Sequence, residues 1–208
     1  MTIIVHHLEN SRSQRVLWLL EELGLPYEVK RYERNPATML APRELRAVHP
    51  LGKSPVIEDE GRVIAETGAI VEYLVEKADG RLGPSAHRDI MLRYRHFLHY
   101  AEGSLMPPLL VLLVLGRIPF LGKRAAKRIK PMVDVHLDWI ERELAGRPWF
   151  AGDEMTAADV MMSFPLEAAR SRAGLGPSRP ATIAWLDKVH ARPAYRKALE
   201  VGGPYAYA

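Results

Sequence analysis

Every segment of this chain that reads as a β-strand lies before residue 66, and every later apolar pattern repeats with the period of a helix. Ile3-Ile4-Val5 reads as a short buried strand, followed by a polar loop from His6 to Ser11. From Val16 the apolar residues fall at 16, 19, 20 and 23, the spacing of a helix packed on one face, and Gly24 supplies its stop. Tyr27 to Tyr32 reads as a second strand and Pro42 to Val48 as a short helix. Val56-Ile57 and Val63-Ile64-Ala65, joined by Glu58 to Gly61, read as a hairpin. A helix from Thr67 toward Lys77 buries Ile70, Val71 and Leu74. Strand-helix-strand followed by strand-strand-helix makes an α/β sandwich of about eighty residues whose first half needs a right-handed parallel crossover. Helices are then expected near 87–103, 105–116, 124–145, 156–171, 180–191 and 193–200. The expected organisation is an α/β domain at 1–79, a Gly- and Pro-containing linker at 80–86 and an all-α domain at 87–208.

The chain has no cysteine, which excludes disulfides, thiolate metal sites and any mixed disulfide on the protein's own sulfur. A redox or nucleophilic sulfur must therefore arrive with a ligand. The opening, MTIIVHHLEN, puts Glu9 directly after a very short apolar stretch with no basic lead, so it does not read as a secretory signal, and a cytoplasmic location is the default expectation. The longest apolar run, Leu105 to Leu115, contains Pro107 and Pro108 and falls short of the roughly 20 residues a bilayer span needs, so no transmembrane segment is expected. The net charge of +4 is local. Arg117, Lys123, Arg124, Lys127, Arg128 and Lys130 stand in a stretch with no acid, and without them 23 basic residues face 25 acidic ones. Such a cluster suits an anionic membrane or nucleic acid, or is simply the solvated start of a helix; no aromatics interleave it, and nucleic acid is not expected as a partner.

Three short motifs carry chemistry. Ser11 precedes the first helix in Ser11-Arg12-Ser13-Gln14-Arg15, where free backbone N–H groups favour an anion; Ser11 or Ser13 could equally be a helix cap. In Gly52-Lys53-Ser54-Pro55-Val56 a proline enters a strand directly. A cis bond would leave the Ser54 backbone open to an extended peptide, and an ordinary trans proline at a strand start is the alternative. In Glu66-Thr67-Gly68-Ala69-Ile70 a helix opens with Thr67 at its cap, a role that leaves the carboxylate of Glu66 unexplained.

In this order these stretches resemble the soluble glutathione S-transferases, serine-type theta-like branch, over nearly the whole chain. The matching residues are Ser11 to Val16, His49-Pro50-Leu51-Gly52-Lys53-Ser54-Pro55 and Glu66 to Ile70. In the helical half, Phe150-Ala151-Gly152-Asp153 leads into Thr156-Ala157-Ala158-Asp159, similar to that family's capping motif. The resemblance implies a thioredoxin-like N-terminal domain that binds glutathione, an all-helical C-terminal domain, and a homodimer. It implies that Ser11 activates the thiol, with Asn10 and Ser13 as competitors. It places Lys53, or Arg12, at the glycyl carboxylate, the Ser54 backbone at the cysteinyl unit, Pro55 as the cis-proline, and Glu66 with Thr67 at the γ-glutamyl end. Ser54 departs from the usual Val or Ile, His49 from Asn, and Leu40 from a His found in some relatives.

The implied reaction is attack of the glutathione thiolate on a hydrophobic electrophile. Peroxide reduction, isomerisation or dehalogenation on the same fold, or a non-catalytic binding module, are the alternatives. Met106, Leu109, Leu110, Leu113 and Phe120 are candidates for the apolar wall, or else plain core. His96, His99 and Glu102 fit no zinc-protease spacing, and no metal is expected. His6 and His7 flank the proposed site and either tune it or serve structure alone.

Overall fold

The computed structural model describes residues 2–207. They form two compact units: 2–83 together with 190–206, and 84–189 with Tyr207.

The first unit contains β1 (Ile3–Leu8), α1 (Ser13–Leu23), β2 (Tyr27–Tyr32), α2 (Leu45–Val48), β3 (Val56–Asp59), β4 (Arg62–Ala65), α3 (Thr67–Lys77) and α9 (Pro193–Gly202). The sheet order is β2-β1-β3-β4. β1 runs parallel to β2, with Val5 opposite Val29, and antiparallel to β3, with Val5 opposite Ile57; β3 and β4 close as the hairpin, with Val56 opposite Ala65. This is the thioredoxin-like arrangement.

The helix α1 is buried on more than the face its periodicity predicts. Val16, Leu19, Leu20 and Leu23 have no exposure, and neither do Leu17 and Trp18 on its other side. The second cover is α9. Tyr195 meets Trp18 edge-on at 5.4 Å, and Arg192 pairs with Glu22 at 2.5 and 2.8 Å. The expected assignment of 87–208 to one all-α domain thus departs from the observed packing, because 190–206 joins the first unit. Burying side chains the size of Leu17 and Trp18 contributes about 1.5–3 kcal/mol each, enough to hold a ten-residue helix far from its neighbours in sequence.

The second unit contains α4 (Arg88–Tyr100), a π-helical turn (Ala101–Leu105), α5 (Met106–Gly116), α6 (Leu121–Ala145), α7 (Ala157–Ala173) and α8 (Pro180–His190), of which His190 groups with the first unit. Pro107 and Pro108 cannot donate to the carbonyls four residues back, Gly103 and Ser104, and the widened turn occupies that stretch without ending the helix. The result is one rod, Arg88–Gly116, longer than the apolar run read from sequence. Its length and its mean hydropathy of 1.5 over the most apolar window suffice for a bilayer, and 39% of that window is buried inside the protein. Its inward residues, among them Tyr94, Phe97, Leu98, Leu105 and Leu109, belong to the core of the helical unit. At the centre lies α7, whose first residues are anchored by a capping box in which Thr156 and Asp159 satisfy each other's backbone. Asp159 Oδ1 also accepts from the Phe150 N–H at 3.0 Å, joining the preceding loop to the helix start.

Candidate functional site

Three chain segments converge on one end of the sheet of the first unit. β1 ends at Leu8 and the chain turns through Glu9 to Arg12 into α1. β3 begins at Val56, directly after a cis Ser54–Pro55 bond. β4, paired with β3 so that Ala65 lies opposite Val56, ends at the same edge and passes through Glu66 into α3. Two eleven-residue helices therefore begin beside a proline turn, and their unsatisfied first-turn N–H groups favour negative charge there.

The Leu8 N–H links two of these segments. It donates to Ser13 Oγ at 3.2 Å and to Ser54 Oγ at 3.3 Å, while Ser54 Oγ donates to the His6 carbonyl at 2.8 Å. The Ser54 hydroxyl continues the β1–β3 ladder beyond the last backbone pair, His6 with Val56.

Ser11 Oγ accepts the Ser13 N–H at 3.2 Å and lies 2.8 Å from Ser13 Oγ. The cap position itself falls on Arg12 and has no side-chain bond, so neither serine is a conventional N-cap. Ser13 is fully buried, and its hydroxyl also reaches His7 Nδ1 at 2.9 Å. The ring of His7 is buried and bonded to the Gly202 backbone at the end of α9. Burial, aided by the Arg31 charge and opposed by the Gly202 bond, lowers the His7 pKa to about 4. The Gly202 backbone bond favours the protonated ring, so the ring donates it; with that proton placed, the neutral ring has Nδ1 as the acceptor for Ser13, at a shorter distance than the Leu8 carbonyl, 3.3 Å from Ser13 Oγ. The Ser13 oxygen is then an acceptor toward Ser11, and the Ser11 proton is the mobile one. Asn10 is engaged differently: at φ +48°, its Oδ1 accepts the Ala206 N–H at 2.7 Å.

Glu66, not Thr67, takes the cap position of α3, without a side-chain capping bond. Its backbone stands at φ +72° and ψ 122°, a sparsely populated region that costs a non-glycine residue about 1–3 kcal/mol. The Glu66 side chain is exposed and Thr67 is buried. Lys53 is exposed and Arg12 half-buried.

Residues 11–77 match the glutathione S-transferase N-terminal domain model and 105–193 the C-terminal one. The chain is 36% identical to glutathione S-transferase 3 of Schizosaccharomyces pombe over 95% of its own length and 87% of that protein. The chain belongs to the glutathione S-transferase family. Among solved structures, a glutathione S-transferase of Actinobacillus pleuropneumoniae superposes with a TM-score of 0.89 at 34% identity, covering 99% of this chain and 95% of that one. A glutathione transferase family member of Pseudomonas fluorescens, solved with two glutathione bound, gives 0.82 at 26% identity over 96% and 92%.

The transferase wall residues expected on the helical half do not share one surface. Met106 and Leu109 are core, 2% and 0% exposed, because they lie on the inward face of α5. Leu110 is 49% exposed and Leu113 half-buried, while Phe120 stands 91% exposed in the turn before α6. The histidines divide in role. His6 is a structural partner of Tyr32 (2.8 Å) and Glu58 (2.7 Å), whereas His7 faces the serines. His96 packs among Phe97, Tyr100 and Trp139, and among the described residues no group of three or more His, Asp or Glu side chains is placed to hold a metal. Sequence reasoning missed Arg34, which ties the loop after β2 to the carbonyls of Glu9, Asn10 and Met39, and the hydroxyl of Ser54. Neither belongs to a recognisable spacing, since their bonds to the β1 strand and the turn after it cross 24 to 48 residues of chain.

Proposed function

We propose that this transferase binds glutathione at the convergent edge of the first unit and that Ser11 stabilises its thiolate for attack on an apolar electrophile. The observation that carries the reading is the meeting of the α1 N-terminus, the cis Ser54–Pro55 turn and the strained Glu66 start of α3 at one edge. In this reading the Ser54 backbone pairs with the cysteinyl unit, as an extended peptide adds to a strand. Lys53 and Arg12 take the glycyl carboxylate. Glu66 and the first turn of α3, with Thr67, take the γ-glutamyl ammonium and carboxylate. The glutathione bound to the Pseudomonas fluorescens relative supports this choice of co-substrate.

A serine hydroxyl is too weak an acid and base to carry the thiol proton away; it acts as a donor to the anion. A hydrogen bond to a charged group is worth about 1.5–3 kcal/mol. At about 1.36 kcal/mol per pKa unit it lowers the thiol from near 8.5 by about one to two units. The α1 dipole adds a smaller favourable contribution. Ser11 is favoured over Ser13, whose proton goes to His7, and over Asn10, whose side chain is oriented by its Oδ1 accepting the Ala206 N–H. The half-exposed leucines Leu110 and Leu113 of α5 take the apolar electrophile in this reading. A cytoplasmic homodimer completes it, on the pattern of the family, and peroxide reduction would draw on the same thiolate.

The test compares conjugation of an activated aryl halide by wild type, Ser11→Ala, Ser13→Ala and Asn10→Ala at pH 7, beside equilibrium glutathione binding. Ser11→Ala is expected to lose about eight- to twenty-five-fold in turnover, the fall in thiolate fraction at pH 7 when the pKa returns by one to two units, with glutathione affinity far less changed. Full turnover in Ser11→Ala, or a selective loss in Asn10→Ala, would move the role elsewhere.

A further inference from the structure

The hairpin turn between α5 and α6 presents apolar side chains to solvent in a fixed posture. Ile118 is 43% exposed, Leu121 74% and Phe120 91%. Phe120 is held out by its backbone, at φ +57° and ψ −68°, a γ-turn closed by the Leu121 N–H on the Pro119 carbonyl and rare for a bulky residue. The turn behind it is tight. Arg117 and Ile118 donate to the carbonyls of Val114 and Leu115, and a Cβ at Gly122 would fall 2.0 Å from the Leu115 carbonyl oxygen. The apolar surface continues onto α5, where Val111 and Val114 are 42% and 52% exposed and every residue from Met106 to Leu115 is apolar. A helix apolar all round is ordinarily covered.

Around this tip the charge has one sign. No acidic residue occurs between Glu102 and Asp134. Arg117, Lys123, Arg124, Lys127 and Arg128 are all exposed, and none makes a recorded ion pair among the described residues, whereas Lys130 binds Asp134 at 2.8 Å. On α6 one exposed stripe runs Leu121, Arg124, Arg128, Met132 and Val135, with apolar and cationic side chains sharing a flank.

We infer that this tip docks on an anionic membrane surface, the apolar side chains of Ile118, Phe120 and Leu121 entering the headgroup boundary and the surrounding cations meeting lipid phosphates. Shallow insertion of apolar side chains plus attraction of Lys and Arg to anionic lipid is the physics of an interfacial anchor. A second copy is a poorer occupant, since a two-fold contact through this face would set the same cations against each other. Nucleic acid would satisfy the cations and leave an almost fully exposed phenylalanine against phosphate. The rod Arg88–Gly116 lies at such a surface without crossing it, because its inward residues are the core of the helical unit.

Co-sedimentation of the full chain with phosphatidylcholine vesicles, with and without phosphatidylserine, tests the inference. Binding is expected only with the anionic vesicles, and weaker at high salt. A Phe120→Gly/Leu121→Ser variant, whose glycine takes the positive-φ backbone without strain, and a Lys123→Glu/Lys127→Glu variant are each expected to lose about tenfold or more in partitioning. Both keep the helical circular-dichroism spectrum and the glutathione affinity of wild type. Equal binding to neutral vesicles, no sedimentation with anionic ones, or variants that bind like wild type would overturn it. So would a tip variant that changes the mass in solution, or retention of an oligonucleotide in place of vesicles.

Discussion

The chemistry proposed for Ser11 depends on which way one buried proton points. Because His7 is neutral and its ring proton goes to the Gly202 backbone, Ser13 donates to Nδ1, and Ser11 remains a donor. A His7→Leu variant removes that acceptor and leaves the Ser13 proton to divide between the Leu8 carbonyl and Ser11 Oγ, so the donor order around Ser11 is no longer fixed before the thiolate binds. The expected outcome is a bound thiol whose pKa rises toward the free value, with partial rescue in His7→Asn, whose amide oxygen can stand near the Nδ1 position. A spectrophotometric titration of bound glutathione checks this, and a role limited to packing would leave that pKa unmoved. The same histidine has a stability signature. Its folded pKa of about 4 lies below the ordinary 6.5, so the unfolded chain binds the proton first. Its contribution is present above pH 6.5 and is lost as pH falls toward 4. Denaturant melts of wild type against His7→Leu at pH 7 and 5 are expected to show a smaller acid loss in the variant.

Among the elements, the start of α7 shows how much one carboxylate can organise. Asp159 accepts the N–H groups of Phe150 and Thr156 and the Thr156 hydroxyl, while burial raises its pKa to about 6 despite those donors. Asp159→Ala leaves two buried N–H groups unpaired and is expected to cost about 3–5 kcal/mol by chemical denaturation. The pH sign is opposite to that of His7. The folded group holds its proton where the unfolded one has lost it, so the stability it confers falls as pH rises from about 4 to 6. The difference between wild type and Asp159→Asn is therefore expected to grow on acidification through that window. The capping box was legible in the spacing of Thr156 and Asp159, as were the four strands and most helices, because these signals are local. What local patterning could not show is the second face of α1. Leu17 and Trp18 break its stripe, and the helix that covers them begins at Pro193. Nor could spacing place Met106 and Leu109 inward while Leu110 faces out, since α5 is apolar on every side.

For the whole molecule, the consequence is that the C-terminal segment is part of the first unit, where glutathione is proposed to bind. Through Tyr195 on Trp18, Gly202 on His7 and Ala206 on Asn10, residues 190–206 hold the back of the turn that carries Ser11. Tyr195 is 2% exposed and stacked on His190 at 4.7 Å. Tyr195→Ala is expected to destabilise the protein by about 3–5 kcal/mol in denaturant titration and to weaken glutathione binding, although the residue belongs to none of the motifs. An unchanged affinity would mean that α9 supports the fold alone.

The three motifs of the site were readable as short words in the sequence, and their meeting at one edge followed from the strand order. The identity of the thiol's hydrogen-bond donor rests on the geometry around Ser11, and it is the claim most directly open to measurement. Thiolate absorbance of glutathione bound to wild type and to Ser11→Ala, followed across pH, measures it. A bound thiol titrating about one to two units below its free value in wild type, and returning close to that value in Ser11→Ala, is the predicted result. Glutathione bound with an unshifted pKa, or a depression that survives the loss of the Ser11 hydroxyl, would contradict it.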